Sequence, residues 1–501
     1  METGSYREKI HRGGRIGSVA ARFLIIVPVI SLTFLSTGCQ TYQQKNKVII
    51  YWREGNVPRA VEEATKQADK NAGGKDAIIW RLEQGATLRT LGKYQESNGA
   101  FDIAQNKMDD YAQKAKVRLG NETAALLSNQ ANLPYEGRSY DGIMLNTYKA
   151  LNYLALGEPE KARPELIRAY QRQQEAVQDN QRRIEKTQQE ADASKDKAYI
   201  NQTEQNPAFR ADVQRSLAGV DNLNGYADYV NPFTVCLDGL FFLADATGPS
   251  DLERAHKSFE RVAAFDGNDE YIQRAMALVD DRMRGRQLAP TTFVIFETGC
   301  APVRGQIRID IPIIFSRVSY VGAAFPTLVP QGSFHHGLNI IASGTAYQAH
   351  TVASMDSIIA RDFKNELGVV ITKTVAAAIA KAAAAYFVNQ AAGQQNDIAG
   401  FLTQIATAAY QISVNIADTR TWTTLPSEFQ ICCFPTPSDG KIEISTTTGV
   451  RKFITLLRGN EAIDASALAG QGLTPSGGNL NVVYVKSIDV GTPLLISQFI
   501  L

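Results

Sequence analysis

Residues 80–104, WRLEQGATLRTLGKYQESNGAFDIA, set the pattern on which the first half of the chain is built. Small and large residues alternate in this stretch at fixed distances, namely at Gly85, Leu88, Gly92, Tyr94, Phe101 and Ala104. Residues 145–169, LNTYKALNYLALGEPEKARPELIRA, repeat these distances at Ala150, Tyr153, Gly157, Pro159, Leu166 and Ala169. In each stretch a glycine separates two runs of helical periodicity, which predicts two antiparallel helices joined by a tight turn.

A third and less regular copy covers Asn231–Asp269, with Gly239, Phe259 and a longer turn. The pattern resembles the tetratricopeptide repeat, in which small residues let two helices approach and a large residue fills the groove between them. The two regular copies are 65 residues apart, which is not a multiple of the usual repeat length of about 34 residues. The resemblance therefore implies irregular helical hairpins; a generic amphipathic bundle is the alternative.

The segment that joins the second and third copies, near residues 171–200, is rich in Gln, Glu, Lys and Arg. We expect a charged helical arm there, and the absence of an apolar heptad pattern makes a coiled coil the weaker interpretation. The third copy follows the sequence YVNPF, in which Asn231 is placed to cap a helix and Pro232 to occupy its first turn.

The composition changes near residue 284, where short runs typical of strands begin. Those runs are Thr291–Glu297, Gln306–Ile311, Lys441–Ser445 and Val482–Lys486. Between them, residues 355–391 and 397–416 have helical periodicity. The sequence therefore predicts an α+β multidomain protein, with TPR-like helices over residues 57–285 and a mostly antiparallel sheet with two long helices over residues 286–501.

An Ala-rich part of the first long helix, residues 375–392, has two possible roles. It could insert into a membrane or drive oligomerisation, but Lys381 interrupts it and no window reaches the spanning length of about 20 residues. Close packing against the sheet is the favoured interpretation, because alanine permits close approach.

The chain begins with a secretory signal pattern. Residues 1–22 hold five basic and two acidic residues, and the apolar run Phe23–Leu35 that follows contains 13 residues, too few to span a bilayer as a helix. The run ends in Ser36-Thr37-Gly38-Cys39, which resembles the lipobox of bacterial lipoproteins, although Ser36 stands where that family usually has Leu.

This resemblance implies cleavage between Gly38 and Cys39, followed by attachment of fatty acyl chains such as palmitate at Cys39. Gln40, rather than Asp, follows the cysteine, which by the same resemblance implies transport to the outer membrane. Residues 39–56 are then expected to be a tether. An uncleaved signal anchor is the alternative.

The charge balance argues against a nucleic-acid partner. The chain has 52 basic and 51 acidic residues, and without residues 1–38 its net charge is −2. A nearly neutral protein without a run of Lys and Arg lacks the electrostatic footprint of a nucleic-acid-binding protein.

Four cysteines remain besides Cys39. Adjacent Cys432 and Cys433 point to opposite faces of a strand, so at most one of them is expected to pair with Cys300 in an oxidising compartment. Cys236 lies in an apolar helix and is expected to be a buried free thiol. No CxxC motif is present, so a zinc or redox site has little support.

No catalytic, cofactor-binding or metal-binding set stands out. The clustered histidines, His335, His336 and His350, are expected to be exposed loop residues rather than metal ligands. Asp418, Arg420 and Trp422 lie in the sequence DTRTWTTLP, where a ligand-recognising arginine is one interpretation; a buried tryptophan beside an ion pair at a helix end is the favoured one.

Taken together, the chain resembles an uncharacterised group of bacterial lipoproteins that combine a lipobox, TPR-like helices with a YVNPF segment, and an α+β part with a DTRxWxxLP segment. The resemblance implies location and architecture but no activity. We expect a non-enzymatic, cofactor-free scaffold or adaptor, anchored in the outer membrane, facing the periplasm and binding other envelope proteins of a secretion or cell-wall synthesis assembly. A subunit of an oligomeric pore, or a hydrolase with its site on the C-terminal domain, are the alternatives.

Overall fold

The computed structural model of the protein describes residues 46–117, 130–194, 196–221, 230–266, 269–312, 320–393, 417–457 and 480–501. The predictions for the signal, for Cys39 and for a helix over residues 397–416 lie outside these residues. The described chain is α+β, with most helices in its first half and all its strands in the second.

The described residues contain twelve α-helices. In chain order they are α1 (Val48–Arg53), α2 (Val57–Lys70), α3 (Ala77–Thr90), α4 (Tyr94–Val117), α5 (Ser139–Ala155), α6 (Pro159–Ala193), α7 (Lys197–Glu204), α8 (Pro207–Asp221), α9 (Pro232–Ala244), α10 (Pro249–Asp266), α11 (Glu270–Met283) and α12 (Met355–Gly393).

The three predicted hairpins are present as α3–α4, α5–α6 and α9–α10. Their helices approach closely where the pattern has a small residue. A Cβ atom added to Gly85 would lie 2.4 Å from the Phe101 ring, and one added to Gly239 would lie 2.9 Å from the Phe259 ring. The turn residues Gly92 and Gly157 have φ angles of 79° and 72°, which glycine adopts without strain. The small-to-large spacing in the sequence thus corresponds to a contact between two helices.

Helix α9 begins as the sequence predicts. The Asn231 side chain accepts hydrogen bonds from the backbone N–H groups of Phe233 and Thr234, at 3.1 and 3.2 Å. Pro232 occupies the first helical position, where no hydrogen-bond donor is needed. The predicted cap is confirmed.

The predicted charged arm is the second half of α6, a single helix of 35 residues that is about 50 Å long. One side of it is buried, at Gln173, Ala176, Thr187 and Ala191, and α12 lies against it. The opposite side is exposed to solvent.

Eleven strands in the described residues form three sheets. They are β1 (Thr291–Thr298), β2 (Cys300–Pro312), β3 (Tyr320–Gln331), β4 (Leu338–Ala342), β5 (Thr345–Gln348), β6 (His350–Ser354), β7 (Glu428–Pro435), β8 (Lys441–Thr446), β9 (Arg451–Thr455), β10 (Leu480–Ser487) and β11 (Leu495–Ile500). A five-stranded sheet has the order β11-β10-β1-β7-β6, a second sheet is the hairpin β2–β3, and a four-stranded sheet has the order β5-β4-β8-β9.

The number of sheets differs from the sequence-based expectation, whereas the mostly antiparallel direction of the strands agrees with it. One sheet was expected and three are present, because the pattern of alternation reveals a strand but not its neighbours. Among their pairings only β1 with β10 is parallel. In β2, Ile309 and Ile311 are buried while Arg308 and Asp310 are exposed, as the alternation predicts.

The start of the Ala-rich part of α12, residues 375–380, packs as expected. Val375, Ala376, Ala378 and Ile379 are buried in a hydrophobic cluster with residues of β2, β3, α7 and α8. Small side chains let the helix approach the hairpin closely. Within the described residues no helix combines the length and apolarity needed to cross a membrane.

The helices and the large sheet share one hydrophobic core, and Thr41–Leu501 forms one compact unit. This core reaches back to the start of the described chain, where Val48 and Trp52 are buried. The structure therefore differs from the expected tether over residues 39–56: only residues before Asn46 remain as a candidate tether. Short apolar stretches such as VIIYW carry too few residues for periodicity to show their burial.

We expect Gly85→Ala to lower the free energy of unfolding by about 1–3 kcal/mol, because the new methyl group must displace the buried Phe101 ring. Chemical denaturation measures this effect. Phe101→Leu combined with Gly85→Ala should recover part of the loss by making room.

Gly99→Ala is the matched control. Gly99 lies inside α4, is exposed, and has no atom within 4 Å of an added Cβ. This substitution should raise stability by about 0.5–1 kcal/mol through helix propensity. Equal effects of the two substitutions would contradict the role assigned to the Gly85–Phe101 contact.

Candidate functional site

The resemblance to tetratricopeptide repeats predicts a binding site on the face formed by the first helices of the three hairpins, because helical-repeat proteins bind partners on such faces. These helices, α3, α5 and α9, are buried over almost their whole length. The residues that cover them come from the same chain. A stretch of mostly buried residues, Ala417–Ser427, which we call the linking segment, contacts α3, α4 and α5 and leads into β7.

Glu83 of α3 holds the linking segment by three hydrogen bonds. Its carboxylate accepts the backbone N–H of Thr423 at 2.7 Å and the hydroxyls of Thr423 and Thr424 at 2.6 and 2.8 Å. Glu83 is completely buried, so these donors replace the water that its carboxyl group has lost. Threonines suit this position because each brings a hydroxyl and favours extended backbone.

Trp422 packs beside this bond network. Its ring meets Phe101 of α4 and Tyr148 of α5 edge to face, with centroid distances of 5.8 and 5.9 Å. Its indole N–H donates to the Thr424 hydroxyl at 2.9 Å. The expectation of a buried tryptophan is confirmed.

Arg420 is also buried and does not face solvent as a ligand-recognising arginine would. It donates to both carboxylate oxygens of Asp418 at 2.8 and 2.9 Å, to Asp76 at 3.2 Å and to the carbonyl of Leu133 at 2.8 Å. The expected ion pair is therefore confirmed, while the expected helix end before Asp418 lies outside the described residues. The interpretation of Arg420 as an exposed ligand-binding residue is wrong.

A second buried carboxylate, Glu297 of β1, joins the large sheet to the helices. It accepts hydrogen bonds from Tyr148 of α5 at 2.9 Å, from Lys486 of β10 at 2.5 Å and from Tyr484. Burial works against its ionisation, but the charges of Lys486 and Arg89 outweigh burial and lower the pKa of Glu297. The residue therefore stays charged inside the core.

A third carboxylate, Glu366 of α12, has arginines on three sides. Arg138, which precedes α5, donates at 2.6 Å, Arg304 of β2 at 2.7 Å and Arg183 of α6 at 3.3 Å. Burial would raise the pKa of Glu366, but these positive charges lower it far below its usual range. Glu366 thus connects α12 to three other elements.

The carboxylate of Asp362, one helical turn before Glu366, has fewer stabilising contacts than the carboxylate of Glu366. It is buried, neither of its carboxylate oxygens has a hydrogen-bond partner, and the nearest cationic atom, Nη2 of Arg304, is 3.8 Å away. Burial and the neighbouring charge of Glu366 both raise its pKa. A raised pKa favours the protonated form, which makes Asp362 the titratable group of this cluster.

The histidines differ from the expectation of exposed loop residues. His336 is exposed, but His335 is only 1% exposed; its Nδ1 lies 3.3 Å from the Thr448 hydroxyl, and burial lowers its pKa. His350 is half-buried, with Nδ1 2.7 Å from Asp269. The expectation of exposure is therefore wrong for His335, because a residue of the turn between β8 and β9, far away in the sequence, contacts its ring.

The cysteines also differ in part. Cys236 is a buried free thiol, as expected, and burial raises its pKa to about 12. Cys300 is free as well. Cys432 lies opposite Val294 of β1, whereas Cys300 follows the end of that strand, which separates them by more than about 13 Å at 3.3 Å per residue. A disulfide needs Cα atoms within about 7 Å, so the expected pairing with Cys432 or Cys433 is wrong.

The networks described above join elements of the same chain to one another. Among the described residues no three metal-ligating side chains converge. Asp269 and His350 form an acid–imidazole pair, but within the described structure no hydroxyl or thiol hydrogen-bonds to the other ring nitrogen.

The sequence analysis did not identify Glu83, Glu297 and Glu366, because their partners are up to about 340 positions away. Gly38 and Cys39, the predicted cleavage and lipidation residues, lie outside the described chain.

We expect Glu83→Ala to lower the free energy of unfolding by about 3 kcal/mol, because a buried backbone N–H and two hydroxyls lose their acceptor. Glu83→Gln keeps one carbonyl acceptor and should lose less. Denaturant titration followed by tryptophan fluorescence reports the change.

The matched control is Glu62→Ala on the exposed side of α2, which should change stability by less than about 0.5 kcal/mol. If Glu83→Ala were as mild as this control, Glu83 would not hold the linking segment.

Asp362 should make stability depend on pH. An aspartate with a raised folded-state pKa contributes most at low pH, and this contribution is lost as pH rises from the unfolded value of about 3.9 through the folded pKa. We therefore expect Asp362→Asn to gain stability relative to the parent protein between about pH 5 and about pH 8. Unfolding titrations at both pH values measure the difference.

Asp110→Asn, at an exposed position on α4, is the control and should show no such trend. A difference between Asp362→Asn and the parent that stays constant with pH would show that Asp362 is ionised in both states.

Three comparisons with known proteins give the same result. No family model, no curated protein and no solved structure matches it. The irregular hairpins are consistent with this outcome, since their spacing departs from a regular repeat. Conclusions about function therefore depend on the chain's own residues.

Proposed function

We propose that this chain is a lipid-anchored scaffold of a bacterial envelope, attached to the outer membrane at Cys39, facing the periplasm and binding other envelope proteins. In this proposal its helical hairpins are divergent TPR-like repeats. The observation that carries it is the sequence at the N-terminus: a basic segment, a short apolar run and Gly38-Cys39.

The interior of the fold supports a binding role over a catalytic one. Three buried carboxyl groups, Glu83, Glu297 and Glu366, each accept several hydrogen bonds from other elements of the same chain. Such networks hold elements together, and they engage the oxygens of these three carboxyl groups within the chain. A hydrolase would need a nucleophile beside a base, and the Asp269–His350 pair lacks one in the described chain.

The partner-binding surface in this proposal is a line of partly exposed apolar residues along α6, at the edge of its buried side. The first helices of the hairpins are covered by the linking segment and the sheet, so a partner must bind elsewhere. On α6, Tyr170, Val177 and Ile184 are 40%, 46% and 41% exposed and lie seven residues apart. Residues at this spacing fall on one line along a helix, which gives a partner a continuous apolar contact.

We expect Cys39→Ser to abolish membrane attachment, because the acyl chains would have no sulfur to bind; each buried CH2 of such a chain contributes about 0.8 kcal/mol. Membrane sedimentation and intact-mass analysis of the native protein measure this. A native chain that keeps residues 1–38 and carries no lipid would refute the anchor.

The test of partner binding uses the protein attached to the membrane. Val177→Glu with Ile184→Glu should remove crosslinks to envelope proteins in intact cells, whereas Gln178→Glu with Gln189→Glu adds the same charge off this line and should keep them. Unchanged crosslinks in the first variant would refute α6 as the binding surface.

A further inference from the structure

The folded body begins very soon after the proposed lipidation site. Asn46 is buried and donates to the Thr423 hydroxyl at 3.2 Å, so the chain is fixed to the linking segment from this residue onward. Only six residues, 40–45, join Cys39 to Asn46. Even a fully extended chain of this length spans at most about 25 Å. A body held by so short a connection must keep its Asn46 side close to the bilayer.

The first helix on that side exposes two cations and an apolar residue. Lys47, just before α1, and Ile50 and Arg53 within it are exposed and three residues apart, so they share one side of the helix, whereas Val48 and Trp52 on the other side are buried. Ile50 is 54% exposed, which is unusual for so large an apolar side chain beside a well-packed core.

The charge of this region is positive. Residues 46–59 contain Lys47, Arg53 and Arg59 and a single acidic residue, Glu54. Asp489 also lies beside Arg53, since the side chains of both are close to Gly332, so three cations stand against two anions in this region. Cations beside an apolar residue are attracted to anionic lipid headgroups and can insert the apolar side chain at the headgroup boundary.

We propose that the exposed side of α1, formed by Lys47, Ile50 and Arg53, lies on the anionic phospholipid surface of the membrane and fixes the orientation of the folded body. The inference rests on the proposed lipid anchor: the acyl chains give attachment, and α1 gives orientation. A body oriented in this way presents the same surfaces to the periplasm at all times, which a free tether would not achieve.

The test uses full-length protein purified from membranes and reconstituted into vesicles. Ile50→Cys carries an environment-sensitive NBD label, and the four cysteine thiols of the described residues are buried. On vesicles of phosphatidylcholine with phosphatidylglycerol we expect a blue-shifted emission and loss of quenching by aqueous iodide. The same label at Phe453→Cys, 82% exposed on β9, should stay quenched.

Reversing the charges of α1 and its preceding residue provides a second test of the same inference. Lys47→Glu with Arg53→Glu should restore iodide quenching at the label without releasing the protein from vesicles, whereas Lys441→Glu with Lys452→Glu on the four-stranded sheet should not. Quenching that persists at position 50 on anionic vesicles, in protein attached through Cys39, would overturn this inference alone. Attachment that survives Cys39→Ser would overturn the proposed anchor instead.

Discussion

The carboxylate of Glu83 is the constraint on which the architecture depends. It lies in the interior of a helical layer, and burial of such a polar group is tolerated only when hydrogen-bond donors surround it. Its donors come from Thr423 and Thr424, some 340 residues later in the chain. Folding of the helical half therefore requires the linking segment, and through it the large sheet that β7 enters.

Two other buried carboxylates also accept hydrogen bonds across the two halves of the chain. In these cases the carboxylate belongs to the second half and a donor to the helical half. Glu297 belongs to the sheet and takes a donor from α5, while Glu366 belongs to α12 and takes donors from β2, α6 and the residue before α5. In each case a buried carboxyl group from one half accepts at least one hydrogen bond from the other half. Apolar contacts tolerate small displacements, but hydrogen bonds to a buried charge do not, so these networks fix how the halves meet.

Local patterns in the sequence predicted the individual helices and strands better than the way in which these elements pack together. The distances from Gly85 to Phe101 and the cap at Asn231 both predicted real contacts, because helix pairing and capping involve residues close in sequence. The alternation at Ile309 and Ile311 identified a strand but not the number of sheets. The cover over His335, the separation of Cys300 from Cys432 and the donors of Glu83 all depend on contacts between distant segments, for which a single sequence has no periodic signal.

The order of strands in the large sheet has a consequence for how the chain reaches its folded state. Strand β1 lies between β7 and β10, so its backbone hydrogen bonds are completed by residues that are made about 130 to 190 positions later. Contacts of such long range form slowly. Until the last strands emerge from the ribosome, Phe293 and Ile295 lack their neighbours, and the nascent polypeptide carries an unpaired apolar edge that a chaperone can hold.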